Sequence, residues 1–392
     1  MTARPRMTTA ERRARLIARH HLGRTADGVV EAVGAVVATH SSDPVTPYLA
    51  CWARVPEFTT ADLGRELHDT RTLWRLHAMR RTLFVVPTDE GAVFEAAASR
   101  DIAAKERRRL EGWLAAELKT DRVSSWLADV EARTLEVLGD GSEWRTTDLA
   151  EAVPELATEM TVGSGRWATR TRLSSRLLFL LAMDGHLVRT RPAGSWRSSQ
   201  YRWAATASWF DRPSERIAQP VARAELARRY LASHGPATMT DLRWWTGWTA
   251  RHAAAALEAV GAVTVALDDG VIGYVLPGDV EPIGGEAAGV AILPGLDSTP
   301  MGWKQRDWYV SDHVAALFDS NGNVGPTAWV DGRAAGGWGQ RPDGEVVHRL
   351  LEDVGRDAAT AVEAETAALT AWLGGVVVAN RFPSPLGREL SS

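Results

Sequence analysis

The chain is nearly devoid of cysteine: Cys51 stands alone among 392 residues. One thiol closes no internal disulfide, builds no cysteine-rich zinc site and ligates no iron–sulfur cluster, so those chemistries are excluded. Long apolar runs are missing too. No stretch reaches the roughly 18 residues that a membrane-spanning helix needs, and no apolar segment follows the arginine-rich N-terminus as a secretion signal would require. There is no His-x-Glu pair and no Gly-x-x-x-x-Gly-Lys phosphate loop. The expectation is a soluble protein of a reducing compartment, the bacterial cytoplasm, without metal, cofactor or membrane.

What is present suffices for a packed core. Hydrophobic residues make up 45% of the chain and charged residues 24%, a globular composition, and the length suggests two or three folding units. The formal net charge of −4 argues against a polyanionic partner until its distribution is read. Residues 1–25 hold seven Arg and one Glu, and residues 160–202 hold eight Arg and one Asp. Residues 263–300 hold six acidic side chains and no Lys or Arg, and 338–370 hold seven against three Arg. Such segregation predicts basic faces on an acidic molecule, and basic faces meet phosphates. Of the 45 cations 42 are Arg, which suits bidentate phosphate contacts or reflects codon bias.

A supersecondary pattern repeats along the chain. Ser125–Leu138 is helix-periodic, and Trp144-Arg-Thr-Thr-Asp-Leu starts a second helix with Thr147 as its cap. Thr169–Met183 reads as a third helix stopped by Gly185, followed by strands at Leu187–Arg191 and Ser199–Ala204. The order recurs as Val221–Ser233, a helix from Thr240, Thr249–Val260, and strands Ala262–Leu267 and Val271–Leu276 about Asp268-Asp-Gly. Three helices and a hairpin is the winged helix-turn-helix order. A looser copy opens the chain, with a helix start at Phe58-Thr-Thr-Ala-Asp-Leu, a strand at Leu83-Phe-Val-Val and a long connecting helix over 89–119. From Gly289 the signal becomes short strands broken by Gly, Pro, Asp and Asn, then a helix at Arg356–Trp372 and a strand at Gly375–Asn380. The expected class is α+β: tandem winged helix-turn-helix domains (1–120, 121–210 and 211–282) with a C-terminal antiparallel β-barrel-like domain (283–392).

Three stretches carry a family resemblance. They are Thr39-His-Ser-Ser-Asp-Pro, Ala53-Arg-Val-Pro and Met79-Arg-Arg-Thr-Leu-Phe-Val-Val-Pro. Near the C-terminus, Met301-Gly-Trp-Lys-Gln-Arg-Asp, Phe318-Asp-Ser-Asn-Gly-Asn-Val-Gly-Pro-Thr and Val330-Asp-Gly-Arg add to them. Together they resemble the AlkZ/YcaQ-like winged-helix DNA glycosylases over nearly the whole chain. The resemblance implies a concave DNA-binding surface and excision of bulky N-alkylated purines, with crosslink unhooking in some members. The family signature is Gln-x-Gln or Gln-x-Asp ahead of Asp-Pro, with His first in some members. Aligning Asp43-Pro44 puts His40 and Ser42 at the two signature positions. Ser42 polarises water more weakly than Gln or Asp would.

Hydrolysing an N-glycosidic bond requires a placed water and stabilisation of developing positive charge at the sugar. An alkylated purine leaves as a neutral base from a cationic state, so no strong acid is needed. His40, Ser42 and Asp43 are the candidate catalytic set, with His40 accepting a proton from water. Ser41-Ser-Asp-Pro reads equally well as a helix start, Asp43 capping and Pro44 first in the helix. For DNA contact the candidates are Arg166, Arg170, Arg172 and Arg176 on the third helix, with Arg189, Arg191, Arg197 and Arg202 on its wing. Arg80 and Arg81 flank the site. Trp303, Lys304 and Arg306 form a loop that either grips a strand or closes the barrel. A solvated charged face is the plain alternative for the Arg run. His20 and His21 read as helix surface, and Trp244, Trp245 and Trp248 as one packed face. The expected partner is double-stranded DNA, alkylated or crosslinked, bound by a monomer. The competing function is a non-catalytic winged-helix protein that shields lesions or regulates transcription.

Overall fold

A computed structural model describes residues 4–210, 216–268, 270–284 and 288–392. Asp269, in the turn expected between two strands, lies outside them. The first unit comprises β1 (Arg6–Met7), α1 (Thr9–Arg19), α2 (Val29–Ala35), β2 (Thr39–His40), α3 (Thr46–Trp52), α4 (Thr60–His68), β3 (Leu73–His77) and β4 (Leu83–Pro87). Strands β2, β4 and β3 form one antiparallel sheet. A capping box starts α4, the Asp62 carboxylate accepting the Thr59 amide hydrogen at 2.9 Å.

The connecting helix expected over 89–119 is interrupted. It runs as α5 (Gly91–Phe94), a π-helical turn at Glu95–Ser99 and α6 (Arg100–Leu118). The second unit follows with α7 (Val123–Leu138), α8 (Thr146–Ala152), β5 (Glu159–Val162), β6 (Thr169–Arg172), α9 (Leu173–Met183), β7 (Leu187–Pro192) and β8 (Tyr201–Ala205). Thr147 is not the cap of α8 but lies inside it, and Arg145 at the cap offers no side-chain oxygen. The helix expected from Thr169 begins only at Leu173. Thr-Arg-Thr-Arg instead alternates as a strand against Glu-Met-Thr-Val, with Arg170 opposite Thr161 and Arg172 opposite Glu159.

After α10 (Thr206–Phe210), the third unit holds α11 (Gln219–His234), α12 (Met239–Thr246), α13 (Ala250–Ala259), β9 (Val263–Leu267) and β10 (Ile272–Val275). Thr238 and Asp241 form the capping box of α12, one residue pair ahead of the start expected at Thr240. The last region has β11 (Val290–Leu293), α14 (Asp307–Val310), α15 (Val314–Leu317), β12 (Thr327–Val330), β13 (Arg333–Gln340), β14 (Val346–Leu350), α16 (Arg356–Leu373) and α17 (Pro385–Leu390). Its four strands pair in the order β11-β12-β13-β14 and stay open, so the expected barrel does not close. Residues 375–380 form no strand. Two side chains hold the segment: Gln340 donates to the Val376 carbonyl and accepts the Val378 amide hydrogen, and Arg197 donates to the Val377 carbonyl.

The largest apolar core joins the first, third and C-terminal regions, and a second core lies among α6–α9 and β8. No helix of the described residues is long and apolar enough to cross a membrane. The segregated charge of the sequence is largely consumed inside the fold. Strand β1 pairs in parallel with β9, and N-terminal arginines meet the acidic segment there: Arg6 with Asp268 at 3.0 Å, Arg15 and Arg19 each with Asp279 at 2.6 Å. Arg12 lies over the Trp308 ring and Arg24 pairs with Glu365. This N-terminal cluster is therefore a seam rather than the basic face its composition suggested.

Candidate functional site

His40 lies where three regions meet. Its strand β2 pairs with β4 on one side, and on the other the His40 amide donates to Ser298 Oγ at 3.1 Å. Ser298 in turn donates to the Ala38 carbonyl at 2.7 Å. The loop bearing Ser298 is clamped by a buried ion pair, Arg54 to both carboxylate oxygens of Asp297 at 2.8 and 2.9 Å. Arg54 also donates to Thr299 Oγ1 and to the His20 carbonyl. His20, expected on a helix surface, is instead fully buried and bridges Thr299 and Ser233.

The imidazole of His40 is 7% exposed, tilted on Phe84, and its Nδ1 is enclosed without a hydrogen-bond partner. Burial, helped by the nearby Arg80 charge, takes its pKa down to about 3. The ring is neutral at physiological pH and is an acceptor rather than an acid. It lines a cavity of about 250 Å³ with Arg80, Thr82, Trp244, Arg306, Asn321 and Asn323 among its neighbours. Two cations flank one indole there, Arg80 at 4.3 Å and Arg306 at 5.4 Å from the Trp244 ring.

Local structure explains this rim. Arg80 and Arg81 both adopt left-handed backbone (φ 55° and 66°), turning the chain sharply between β3 and β4. The C-terminal glycine of α12, Gly247, comes so close that an added Cβ would sit 3.3 Å from Arg80 Cγ. Asp241, which caps α12, also accepts the amide hydrogens of Lys304 and Gln305 at 2.9 Å and so positions the loop leading to Arg306. Asp319 accepts the amide hydrogens of Asn321 and Asn323 and Asn323 Nδ2, which leaves the Asn321 side chain at the cavity.

The sequence candidates separate accordingly. His40, Arg80 and Arg306 share the cavity. Arg81 is exposed beside it and ion-paired with Glu106 at 3.3 Å. Ser42 is half-buried. Asp43 is buried and faces a different cavity, about 410 Å³, bordered by Gly295, Gln340, Asn380 and Arg388. Its carboxylate accepts the amide hydrogens of Val45 and Arg381, and burial raises its pKa. Since α3 starts at Thr46 with Pro47 in its first turn, Asp43 closes a turn ahead of the helix, and neither it nor Pro44 holds the expected capping position.

The strand-gripping loop is corrected in part. Trp303 is 2% exposed and donates to the His234 carbonyl, so its ring is core; Lys304 is exposed. The indole at the site is Trp244, read from sequence as packed face. Arg166, Arg170 and Arg172 lie on the β5–β6 hairpin and only Arg176 on α9. Arg170 pairs with Glu117 and Glu159, and Arg191 with Asp69 and Glu143. Arg197 is exposed and donates to the Val377 carbonyl. Sequence reasoning missed Arg75, a buried guanidinium that donates to Ser41 Oγ at 3.0 Å beside the His40–Ser42 signature. Among the described residues no group of His, Cys, Asp or Glu side chains could hold a metal ion. The cavity itself offers a neutral imidazole, amides, an aromatic face and guanidinium groups, a set suited to water, a base and phosphates.

No curated protein matches the chain. Among solved structures, the Streptomyces sahachiroi DNA glycosylase AlkZ is similar over 97% of this chain and 99% of its own, with a TM-score of 0.74 at 21% identity, a likeness of fold. The family model described as DNA glycosylase AlkZ-like matches residues 4–372. With nearly the whole sequence inside that match, the chain belongs to the AlkZ-like family of DNA glycosylases, hydrolases of the N-glycosyl bond in DNA.

Proposed function

We propose that this glycosylase excises bulky or cationic N-alkylated purines from duplex DNA, crosslinked adducts included, in repair or in self-protection against a genotoxin. The observation that carries the reading is a neutral, buried His40 facing a cavity free of carboxylates. N7- or N3-alkylation places a positive charge on the base, so departure neutralises it and no protein acid is required. What remains is the water. His40 accepts its hydrogen bond and then its proton as the bond to the sugar forms, and Ser42 hydrogen-bonds the same water. Asp43 is a positioning residue: it holds the 43–45 turn against Arg381 and so fixes the strand bearing His40. Arg80, Arg81, Lys304 and Arg306 engage phosphates about the cavity, while Arg166, Arg172, Arg176 and Arg197 extend the contact. Arg170 and Arg191 act mainly through their carboxylate partners.

The recurrence of three helices and a hairpin supports reading 1–120, 121–210 and 211–282 as winged helix-turn-helix domains, ahead of a β-rich domain at 283–392. A monomer presents all of them to one duplex. The test is base release from duplexes carrying N7-methylguanine or a bulkier N7 adduct. Wild type is expected to release base, and His40→Ala to lose at least about a hundredfold in rate while keeping DNA affinity. Tight binding by both with release by neither would overturn the assignment for these substrates.

A further inference from the structure

Among the described residues Trp167 is the most exposed large hydrophobic side chain, at 74%. It sits at the tip of the β5–β6 hairpin, in a one-turn 3₁₀ segment from Gly165 to Trp167. The tip is built to hold it out. Gly163 has φ 82°, and a Cβ there would lie 2.6 Å from the Trp167 carbonyl oxygen, so only glycine closes the turn. Among the described residues the indole belongs to none of the apolar cores, and its ring contact is the Arg166 guanidinium at 5.0 Å.

The surroundings name the partner. From Glu159 to Arg172 the hairpin carries three arginines, Arg166, Arg170 and Arg172, beside Trp167, against a single acid, Glu159, which is at its base and pairs with Arg170. Among the described residues Arg166 and Arg172 enter no ion pair. An exposed aromatic beside the unpaired Arg166 guanidinium, with Arg172 unpaired at the base of the same hairpin, is complementary to a stacked polyanion.

Helix α6 relates this tip to the His40 cavity. Arg81 at the cavity rim pairs with Glu106, and Arg170 of the hairpin pairs with Glu117. These glutamates are eleven residues apart, so at 100° per residue they fall within about 20° of one face. Their axial separation is roughly 16 Å at 1.5 Å per residue, about five base pairs of B-form DNA. The hairpin and the cavity therefore lie along one side of the helix, spaced to meet one duplex.

We propose that Trp167 inserts between adjacent base pairs about five or more steps from the lesion, kinking the duplex and holding it over the His40 cavity. This rests on the glycosylase reading above only for the position of the lesion. The experiment uses the full chain and duplexes with 2-aminopurine at successive positions on either side of N7-methylguanine. Fluorescence is expected to rise on one side, four to seven base pairs away (on the order of the spacing above), with wild type and with His40→Ala. Trp167→Ala should abolish the rise and weaken affinity about tenfold, with an unchanged salt slope. Trp167→Phe should keep part of both, whereas Arg166→Ala should lower the slope by about one.

Binding without brightening at any position, or brightening unaffected by Trp167→Ala, overturns the wedge. So does a self-association in sedimentation that Trp167→Ala abolishes, which would give the indole to a second copy. Failure to bind duplex at all overturns both readings. Brightening without base release from any adduct upholds the wedge and removes only the proposed substrate.

Discussion

Acidification should destabilise this protein through His40, and the size of the effect follows from its burial. An unfolded histidine titrates near pH 6.5, whereas His40 in the fold titrates near pH 3. Because the folded pKa is depressed, the stabilising contribution is fully present above pH 6.5 and is lost as pH falls, when the unfolded chain binds the proton and the folded chain does not. At 1.36 kcal/mol per pH unit, His40 alone removes about 2 kcal/mol between pH 8 and pH 5. His234, taken down to about 3, and His68, taken down to about 4, add similar amounts by the same sign. The three together reach about 6 kcal/mol, within the 5–15 kcal/mol that typically separates folded from unfolded domains. The assay is urea unfolding of wild type and His40→Gln at pH 8, 6.5 and 5. Glutamine does not titrate, so packing losses are common to all three conditions. Their difference should shift by about 2 kcal/mol in favour of the variant at pH 5. A gap that stays constant from pH 8 to pH 5 would refute a buried, neutral His40. Over the same range His40 should impose no rise or fall on the rate of base release, since it is neutral throughout.

Removing one partner of the buried Arg54–Asp297 pair leaves the other charged and enclosed. Asp297→Ala should therefore cost about 3–5 kcal/mol in urea unfolding, and a loss under about 1 kcal/mol would mean that the pair is hydrated. Gly91→Ala would place a Cβ 2.0 Å from the Trp74 ring and should destabilise by about 1–3 kcal/mol. Gly64→Ala, in the interior of α4 with open space around it, should stabilise by about 0.5–1 kcal/mol. A reversed order in thermal melts would contradict the packing described. Asp43→Asn removes one of two backbone acceptors and should cost about 1 kcal/mol of stability. Its base release should stay within about tenfold of wild type, because this carboxylate faces the other cavity; a loss as large as that of His40→Ala would place it at the reacting atoms.

Much of the architecture is legible where a local signal decides. Helices α7, α11 and α13 follow their apolar periodicity, and Thr-x-x-Asp announces α4, whereas the same box at Thr238–Asp241 starts α12 ahead of the expected Thr240. The β5–β6 hairpin is hidden because Thr-Arg-Thr-Arg runs directly into the apolar period of α9, and only pairing with Glu159–Val162 reveals the strand. Composition could not show that the N-terminal arginines are matched to acids some 260 residues away. Neither could it tell which indole reaches the site: Trp303 is buried, whereas the half-buried Trp244 of α12 lines the His40 cavity. His40 and Asp43 are three residues apart, yet a turn sends them into separate cavities. The signature was locatable in the sequence, but the division of labour within it was not.

The parallel pairing of β1 with β9 bears on how the chain is made. Arg6 waits for Ala266, which leaves the ribosome 260 residues later. At 5–20 residues per second that interval is about 13–50 s. Throughout it α1 carries Arg19 without the Asp279 that it pairs with in the fold, while Arg15 has only Glu11 of its own helix. Strand β1 therefore docks only after the third unit has been made. A chain halted before residue 279 would leave α1 with an unmatched cationic face, accessible to nucleic acid or to a chaperone until the third unit is complete.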